Sequence, residues 1–583
     1  MLKKSSNSKG ILSRQNVAVF IIILFISCKV TPEQYRTLSG NIKYRGNQKG
    51  PVHIRLYKLN GSARERPRPL SKMDIYGAKK PLKEITLSDP SAYEFSQLPP
   101  AHYSIIAYMD LDKDGELDFK PIEPLGWYAS HPGARFSPVD LTKENQTNVD
   151  CLLRTPTPFP EKDIQREHGA LRWINGLPVL QLQGTGEERG YAHGYLLGKQ
   201  IIDFFEFYVI EDVWQSAKNY TDIYVPFLET HFKIPPDFEK ESRALIQGMK
   251  DSGIDMGVES LSRDFNQTDL LAINAYIERR AAFPVSSPSS CTQFAFWGDF
   301  TIETALQGGL VAARNMDGEC DVRKVTVSHF LIFAVDPSEP GHKRWVSFMW
   351  PGFIGTISGI NEDGLYSMEN AGGTGPGPVK GNITPCSWIQ RDILEREIPT
   401  ITPSGILKEM NRFQCDGGGV TAPGSIILWA VPFQGQKNPA FVYEGDRFGG
   451  KMRCPEEVRP THPHTIMASN HHKVYGFDSD RPQLSFGRRV SFSSLWRYEA
   501  GMHELEAWAR QKKPLGIPQA KRLLQIVSHG STEYSVIFSA NQMRIWVAVD
   551  DLKTNMWDAP YLEWKEYPFE ELFRNMPMFT SEQ

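Results

Sequence analysis

The sequence predicts an α+β protein, a small all-β sandwich followed by a larger domain in which helices lead into long buried strands. Three observations carry this. Runs such as 52–57 (VHIRLY) and 103–108 (YSIIAY) alternate between Gly, Pro and Asn clusters, the period-2 pattern of half-buried strands. Residues 195–208, 238–251 and 268–280 space their apolar side chains as helices do, the last ending in an Arg pair. Beyond Cys291 the chain turns strand-rich, at 310–314, 325–335, 345–350, 425–431, 534–538 and 544–549, with one helix at 518–527 among the later strands. Helices followed by buried strands imply sheets sandwiched between helix layers.

Composition narrows the function classes. With 583 residues, the chain exceeds the size of one hydrophobic core, so at least two domains are expected. Hydrophobic residues at 40% and charged residues at 23% exclude a mostly disordered chain, and 11% aromatics favour a β-rich core over a helical bundle. A net charge of −3 gives no basic excess, so nucleic acid is not an expected partner. Seven cysteines, none in a CxxC, are too few for a disulfide scaffold and argue against a zinc ribbon or thioredoxin-like centre.

The N-terminus reads as an address. Lys3, Lys4, Lys9 and Arg14 precede the apolar run 17–27, VAVFIIILFIS. Eleven helical residues at about 1.5 Å each cannot cross roughly 30 Å of hydrocarbon. A basic stretch, a short apolar core and a small residue describe a secretory signal over 1–27. Its ending, Phe25-Ile26-Ser27-Cys28, resembles the lipobox of bacterial lipoproteins, with Phe25 where leucine is usual. The resemblance implies lipidation of Cys28 and an exported protein anchored to the cell membrane or outer membrane. Without the signal the net charge would fall to −7.

Residues 28–153 form the expected β domain. Its segments Gly40-Asn41-Ile42-Lys43-Tyr44 and Leu98-Pro99-Pro100-Ala101-His102-Tyr103 resemble prealbumin-like sandwich modules of exported bacterial proteins. Asp110, Asp112, Asp114, Gly115 and Asp118 follow a DxDxDGxxD spacing that would gather oxygen ligands around a structural Ca²⁺. Pro121 stands where an EF-hand carries its final Glu, and Glu123 lies beyond, so an acidic turn facing water is the alternative. Pro156, Pro158 and Pro160 stiffen an expected linker, 154–165. The larger domain then spans 166–583, with a helical part to 290 and a strand-rich part from 291.

The chemistry-bearing pattern begins at Cys291-Thr292, which opens a strand after the loop-like stretch 281–290, AAFPVSSPSS. A turn at Gly308-Gly309 leads to a second strand ending in Arg314-Asn315-Met316-Asp317. Other motifs follow the same order: Gly184 to Gly194 (GTGEERGYAHG) with Leu196-Leu197-Gly198; Gly359 to Leu365 (GINEDGL) with Asn370; Asn470-His471; and Ser493-Ser494-Leu495-Trp496-Arg497-Tyr498. Together they resemble the N-terminal-nucleophile hydrolases, in the group of acyl-coenzyme A:6-aminopenicillanic-acid acyltransferase, with choloylglycine hydrolase and acid ceramidase as more distant relatives. The motifs span roughly 166–575.

The resemblance implies a four-layer αββα domain and a precursor that cuts itself between Ser290 and Cys291, leaving two chains that stay associated. It also implies roles. Cys291 would be the nucleophile, Arg314 would favour its thiolate, and Asp317 would orient its amine. Asn470, with Asn370 or a backbone N–H, would donate to the oxyanion, and Arg497 would complete the polar network or bind substrate. The physics is coherent: a thiol with a pKa near about 8.5 needs help to ionise at neutral pH. An adjacent α-amine, at roughly 7.7–8.0, can serve as its base. One oxyanion donor is typically worth about 2.7–4 kcal/mol.

The expected reaction is hydrolysis of a linear C–N amide, or acyl transfer, through a thioester on Cys291. No catalytic cofactor is expected, and the substrate would be a small-molecule or peptide-like amide. Phe294, Phe296, Trp297, Trp350 and Phe353 would suit an apolar acyl group, or belong to the core. Cys151, Cys320, Cys386, Cys415 and Cys454 read as structural. His462, His464, His471 and His472 lack an HExxH or an accompanying carboxylate pattern for zinc, and no GxSxG elbow supports a serine hydrolase. The reading from another class is a non-catalytic surface-binding lipoprotein on a retired hydrolase fold.

Overall fold

A computed structural model describes residues 35–577, except 61–67, 69, 72–73, 76–78, 121, 283–289, 319–320, 373–378, 380, 416, 423, 458–461, 476–491 and 553–556. The signal segment 1–27, Cys28 and Cys320 lie outside the described residues. Among the described residues, no helix is long and apolar enough to cross a membrane.

The first part of the chain builds two small sheets. Strand Arg36–Tyr44 pairs antiparallel with Ala92–Leu98 and parallel with Cys151–Leu153. Val52–Lys58 lies between Lys83–Leu87 and His102–Met109, and the latter also pairs Leu125–Trp127 and Val139–Asp140. The alternation read in 52–57 has its cause in the core: Val52, Ile54 and Leu56 pack with Leu38, Phe95, Ile105 and Cys151, while His53 and Arg55 meet Glu84 on the other face.

The larger part holds two further sheets. A ten-stranded sheet runs from Gly449–Arg453 through Ala440–Asp446, Ser425–Ala430, Tyr366–Ala371, Ser358–Asn361, Trp345–Met349, Leu331–Pro337, Leu177–Gly184 and Gly169–Ile174 to Ile164–Arg166. Only the Leu177–Gly184/Leu331–Pro337 contact is parallel. A six-stranded antiparallel sheet has the order Thr465–Ala468, Thr292–Phe296, Val311–Asp317, Thr532–Ser539, Arg544–Val549, Lys565–Pro568. Side chains of both sheets share one apolar cluster, Leu180, Phe333, Met368 and Leu428 with Ala295, Ala312, Met316 and Val536. On the far side of the six-stranded sheet, Phe294, Phe296, Val311 and Ala313 pack with Tyr498, Met502, Leu523 and Leu524 of helices Phe492–Arg510 and Ile517–Ile526. Strand periodicity therefore decides which residues face the other sheet.

The GTGEERGYAHG motif has a structural cause. Thr185 and Glu188 form a reciprocal capping box at the start of helix Gly186–Asp203. Gly190 and Gly194 on that helix, and Gly248 on helix Pro236–Asp251, lie where the two helices cross at backbone contact. A Cβ at Gly194 would collide with the carbonyl oxygen of Leu245, and one at Gly248 with that of Tyr191. Beneath this crossing Arg189 reaches Glu395 at 3.0 Å and Glu339 at 2.9 Å, while Arg391 reaches Glu241 at 2.7 Å and Glu395 at 2.6 Å. Burial alone would raise the Glu395 pKa, but Arg391 and Arg189 outweigh it and hold the carboxylate ionised.

Several expectations need correction. The helix read at 195–208 begins at Gly186 and passes into a π-helix, Phe204–Trp214. The run 325–335 is not one strand. Asp321 caps a helical turn, Val325–Ser328, by accepting from Val325 N at 2.7 Å and Thr326 N at 3.0 Å, and the strand begins only at Leu331. Helices Cys386–Glu395, Pro403–Met410 and Phe492–Arg510 join the expected helix among the later strands. The proline segment is a strap: Phe159 is buried, Thr157 N donates to Asp203 at 2.7 Å, and Gln200 donates to the Pro158 carbonyl at 2.9 Å.

Replacing Gly194 with Ala should push these helices apart. We expect a loss of about 1–3 kcal/mol, the usual range for overpacking, read as a lower denaturation midpoint at unchanged m-value.

Candidate active site

Register brings the sequence-separated residues together. Gln293 pairs with Arg314 and Thr292 with Asn315, so Cys291 emerges beside Met316. Gln293 and Ala295 face the ten-stranded sheet, Gln293 donating to the Ile426 carbonyl, and Cys291 shares that parity. On the neighbouring strand Ala312, Arg314 and Met316 face the same way, whereas Asn315 points to the helix side and donates to Leu524 O.

The Arg314 guanidinium is fully buried and reaches Cys291 Sγ at 3.4 Å through Nη2. Its Nη1 donates to Ile357 O at 2.5 Å and also contacts Ser358 Oγ, which in turn lies 3.1 Å from Tyr534 OH. Among the described residues, no carboxylate lies within ion-pair distance of Arg314. Burial pushes the Cys291 thiol up, Arg314 pulls it down, and Asp317 adds to the rise, so the net direction is upward. A cation 3.4 Å away is worth about 5 kcal/mol to a thiolate at an effective dielectric near 20. Burial still prevails.

The backbone of Cys291 is gripped from two sides. Its N–H donates to Asn470 Oδ1 at 2.9 Å. Its carbonyl accepts from Arg497 Nη1 at 2.6 Å and Asn370 Nδ2 at 3.2 Å. Arg497 also donates to Thr292 Oγ1 at 2.6 Å and Asn470 Oδ1 at 2.9 Å. Asn470 Nδ2 is engaged with Ala371 O at 2.9 Å. The expected oxyanion donor thus holds the Cys291 nitrogen in this state, while its donating end braces the strand that carries Asn370. Ser494 positions the Asn470 loop by accepting from Asn470 N at 2.9 Å, and Ser493 accepts from Arg497 Nε at 3.2 Å.

Asp317 sits where the strand register shifts: Met316 opposes Tyr534 and Asp317 opposes Thr532, leaving Glu533 as the extra residue of a bulge. Its carboxylate accepts from Thr532 Oγ1 at 2.6 Å and pairs with His529 Nε2 at 3.2 Å. Its carbonyl accepts from Ser290 N at 3.4 Å. The structure therefore gathers all six sequence-read residues, Cys291, Arg314, Asp317, Asn370, Asn470 and Arg497, around the Ser290–Cys291 bond. Sequence reasoning missed Ser358, Tyr534, Thr532 and His529, because they occupy ordinary strand or loop positions and acquire a role only by adjacency.

A cleft of about 20 Å³, room for about one water, opens at the sulfur. Tyr208, Tyr276, Ile277, Arg279 and Ile357 are among the residues lining it. The aromatics read from sequence divide. Phe294 and Phe296 face the helices, whereas Trp350 and Phe353 pack on Tyr276 behind the cleft.

The acidic loop of the β part also differs from its reading. Glu123 folds back into it, accepting from Leu111 N at 2.6 Å and Asp118 N at 2.9 Å, and converges with Asp110 and Asp112. Asp112, Asp114 and Asp118 form a second convergent set. Burial, with Asp110 and Asp118 nearby, raises Glu123 to about 7 despite its backbone donors. A set of carboxylate oxygens fits a hard cation such as Ca²⁺. His462 instead packs its ring at a tilt against Phe300, and His471 hydrogen-bonds Ser494 Oγ.

No family model matches the chain. An uncharacterized protein of Archaeoglobus fulgidus is 23% identical over 203 residues, 33% of this chain and 32% of that protein. Protein dcd1B of Dictyostelium discoideum is 24% identical over 237 residues, 38% of this chain and 43% of that protein. The chain thus spans 32% and 43% of the length of these curated relatives. Among solved structures it is similar to a Caenorhabditis elegans N-acylethanolamine-hydrolyzing acid amidase ortholog, at 12% identity and a TM-score of 0.29, over 43% of this chain and 93% of that one. It is also similar to a mutant conjugated bile acid hydrolase from Clostridium perfringens, at 10% identity and a TM-score of 0.30, over 48% and 96%. For penicillin V acylase of Agrobacterium tumefaciens the values are 12% and 0.26, over 46% and 84%.

Arg314→Gln removes the charge that opposes burial at the thiol, so the Cys291 pKa should rise further. At a fixed pH below that pKa, alkylation of Cys291 should slow about tenfold per pKa unit. Peptide mass mapping of iodoacetamide-treated protein across a pH series checks this.

Proposed function

We propose that the chain is a cysteine amidohydrolase or acyltransferase that becomes active when the bond between Ser290 and Cys291 is cut. The observation that carries this reading is a single arrangement: a buried thiol 3.4 Å from a guanidinium that, among the described residues, has no carboxylate at ion-pair distance, with the thiol residue's own nitrogen held at 2.9 Å by a side-chain oxygen. A buried cation outside ion-pair distance of any described carboxylate favours an anion beside it, and a thiolate supplies one. Cutting the preceding bond would turn the nitrogen on Asn470 Oδ1 into an α-amine beside the sulfur, the base that the raised thiol needs.

In this reading the thiolate attacks the carbonyl of a linear amide, the amine leaves, and water or a second amine resolves the thioester. Asn370 and Asn470 face the reacting region, and one of them, or a backbone N–H, would donate to the oxyanion. Tyr208, Tyr276, Ile277 and Ile357 line the one-water cleft at the sulfur, and an apolar acyl group would have to widen it to pack on them. No cofactor takes part. The two sheets of the larger part would be the middle of a four-layer αββα domain, 166–583, joined through the strap 154–165 to a β-sandwich module, 28–153, anchored through lipid on Cys28. The acidic loop of that module would hold a structural Ca²⁺ through Asp110, Asp112, Asp114 and Asp118, with Glu123 added.

The test is the intact mass of protein starting just after Cys28, beside Cys291→Ala. The parent should appear as two associated chains, the second beginning at Cys291, and the variant as one. Amide turnover with and without an added amine would then separate hydrolysis from transfer. A folded parent that stays whole and turns over no amide would favour the surface-binding lipoprotein.

A further inference from the structure

The donors of Arg314 lead into a chain of hydroxyls that the roles above do not use. Tyr534 stands on strand Thr532–Ser539, directly opposite Met316 and two residues from Val536, the partner of Arg314. Residues opposed in this way share a face of the sheet, so Tyr534, Arg314 and Met316 all project toward the ten-stranded sheet. The Tyr534 ring is fully buried and packs against Phe330 and Trp350 at centroid distances of 5.0 and 6.2 Å, which fixes where its oxygen lies. That hydroxyl donates to the Phe348 carbonyl at 2.9 Å and lies 3.1 Å from Ser358 Oγ, which contacts Arg314 Nη1.

The chemistry of the four groups assigns every proton in the chain. A guanidinium can only donate, so Ser358 accepts from Arg314. A carbonyl can only accept, so the Tyr534 proton goes to Phe348. The single proton of Ser358 is left with the Tyr534 oxygen as its acceptor. The chain therefore runs one way, from Arg314 to Ser358 to Tyr534 to Phe348, and crosses between the two sheets three times.

We propose that Tyr534 is a positioning residue for the Cys291 sulfur: by taking the Ser358 proton it turns a Ser358 lone pair onto Arg314 and holds the guanidinium against the thiol. The field of Arg314 at the sulfur depends on the 3.4 Å approach of Nη2, and the same nitrogen lies 3.1 Å from Met316 Sδ. A Ser358 hydroxyl without its acceptor is free to turn its proton toward the guanidinium. The grip on Nη1 then loosens, and Nη2 can settle on Met316 instead of the thiol. Burial pushes the Tyr534 phenol up to about 12, against the pull of Arg314, so the chain keeps its direction across the neutral range. The thiol faces Arg314 and Asp317 from the adjacent strand, Tyr534 from the next strand and Arg497 from helix Phe492–Arg510. The role concerns ionisation of the thiol, and it holds whether or not the bond before Cys291 is cut or an amide is turned over.

The experiment measures the rate of Cys291 alkylation by iodoacetamide across a pH series. Peptide mass mapping reads the whole and cut forms as separate peptides. Tyr534→Phe keeps the ring and removes the acceptor. It should move the curve to higher pH and slow alkylation at neutral pH about threefold to tenfold, the scale of one hydrogen bond. Ser358→Ala, which cuts the chain without touching the ring, should shift the curve the same way. In an Arg314→Gln background the Tyr534→Phe shift should vanish, because the phenol acts only through the guanidinium. A merely structural role predicts the opposite, since loosened packing opens the cleft and speeds alkylation at every pH, with or without Arg314. That outcome overturns the proposal, as do folded Tyr534→Phe and Ser358→Ala proteins that keep the parental curve.

Discussion

The site is organised around a buried guanidinium, Arg314, that makes no ion pair among the described residues, the Glu369 carboxylate acting on it only from a distance. Arg314 spends its donors on a backbone carbonyl, a hydroxyl and two sulfur atoms. Taking a guanidinium out of water is costly unless it is compensated. A carboxylate in contact would neutralise the charge and end its effect on the thiol. Carbonyl and hydroxyl oxygens satisfy hydrogen-bonding geometry while leaving the net charge in place, so the field at Cys291 survives. The surrounding framework keeps that geometry rigid: Ser358 and Ile357 come from the ten-stranded sheet, and Cys291 and Arg314 from adjacent strands of the six-stranded one. The sheets must therefore stack in one register for the site to exist.

A second buried arginine works differently. Arg497 arrives from a helix outside the six-stranded sheet and ties the Cys291 carbonyl, the Thr292 hydroxyl and the Asn470 side chain into one knot. This fixes the residue at the end of a strand, where backbone pairing would otherwise run out. The same helix start supplies Ser494 to the Asn470 loop. Helix, loop and strand meet at a single residue, and three motifs far apart in sequence become one object.

The β part is coupled to this core rather than appended to it. Arg154 pairs with Glu206 at 2.9 Å and contacts Glu211, and Arg323 pairs with Glu211 at 2.9 Å while donating to Leu125 O at 2.6 Å. Arg135 meets Asp212. All three acids lie on the π-helix Phe204–Trp214, which also carries Tyr208 into the cleft wall. Arg323 follows the Asp317 strand by a few residues and stacks between Trp127 and Phe207. Breaking such buried pairs by removing one partner leaves an unpaired charge, so the docking of the β part and the cleft wall are mechanically linked.

By itself the sequence determined the strand that opens at Cys291, its Arg-Asn-x-Asp neighbour and the alternating strands of the β part. These are legible because period-2 alternation bounded by turn residues needs particular residue types at short spacing. It misread 325–335 because β-branched residues suit a strand, and only Asp321, folded back onto Val325 and Thr326, turns that start into a helix. It placed Asn470 as an oxyanion donor, where the packed structure has its carbonyl oxygen on the Cys291 nitrogen. It did not see His529 beside Asp317, or Ser358 and Tyr534 beneath Arg314. Those pairings join residues 44 to 212 positions apart, and such contacts leave no local pattern because no helical or strand period carries them. Tertiary packing alone decides them, by the stacking of two sheets and the bulge at Glu533.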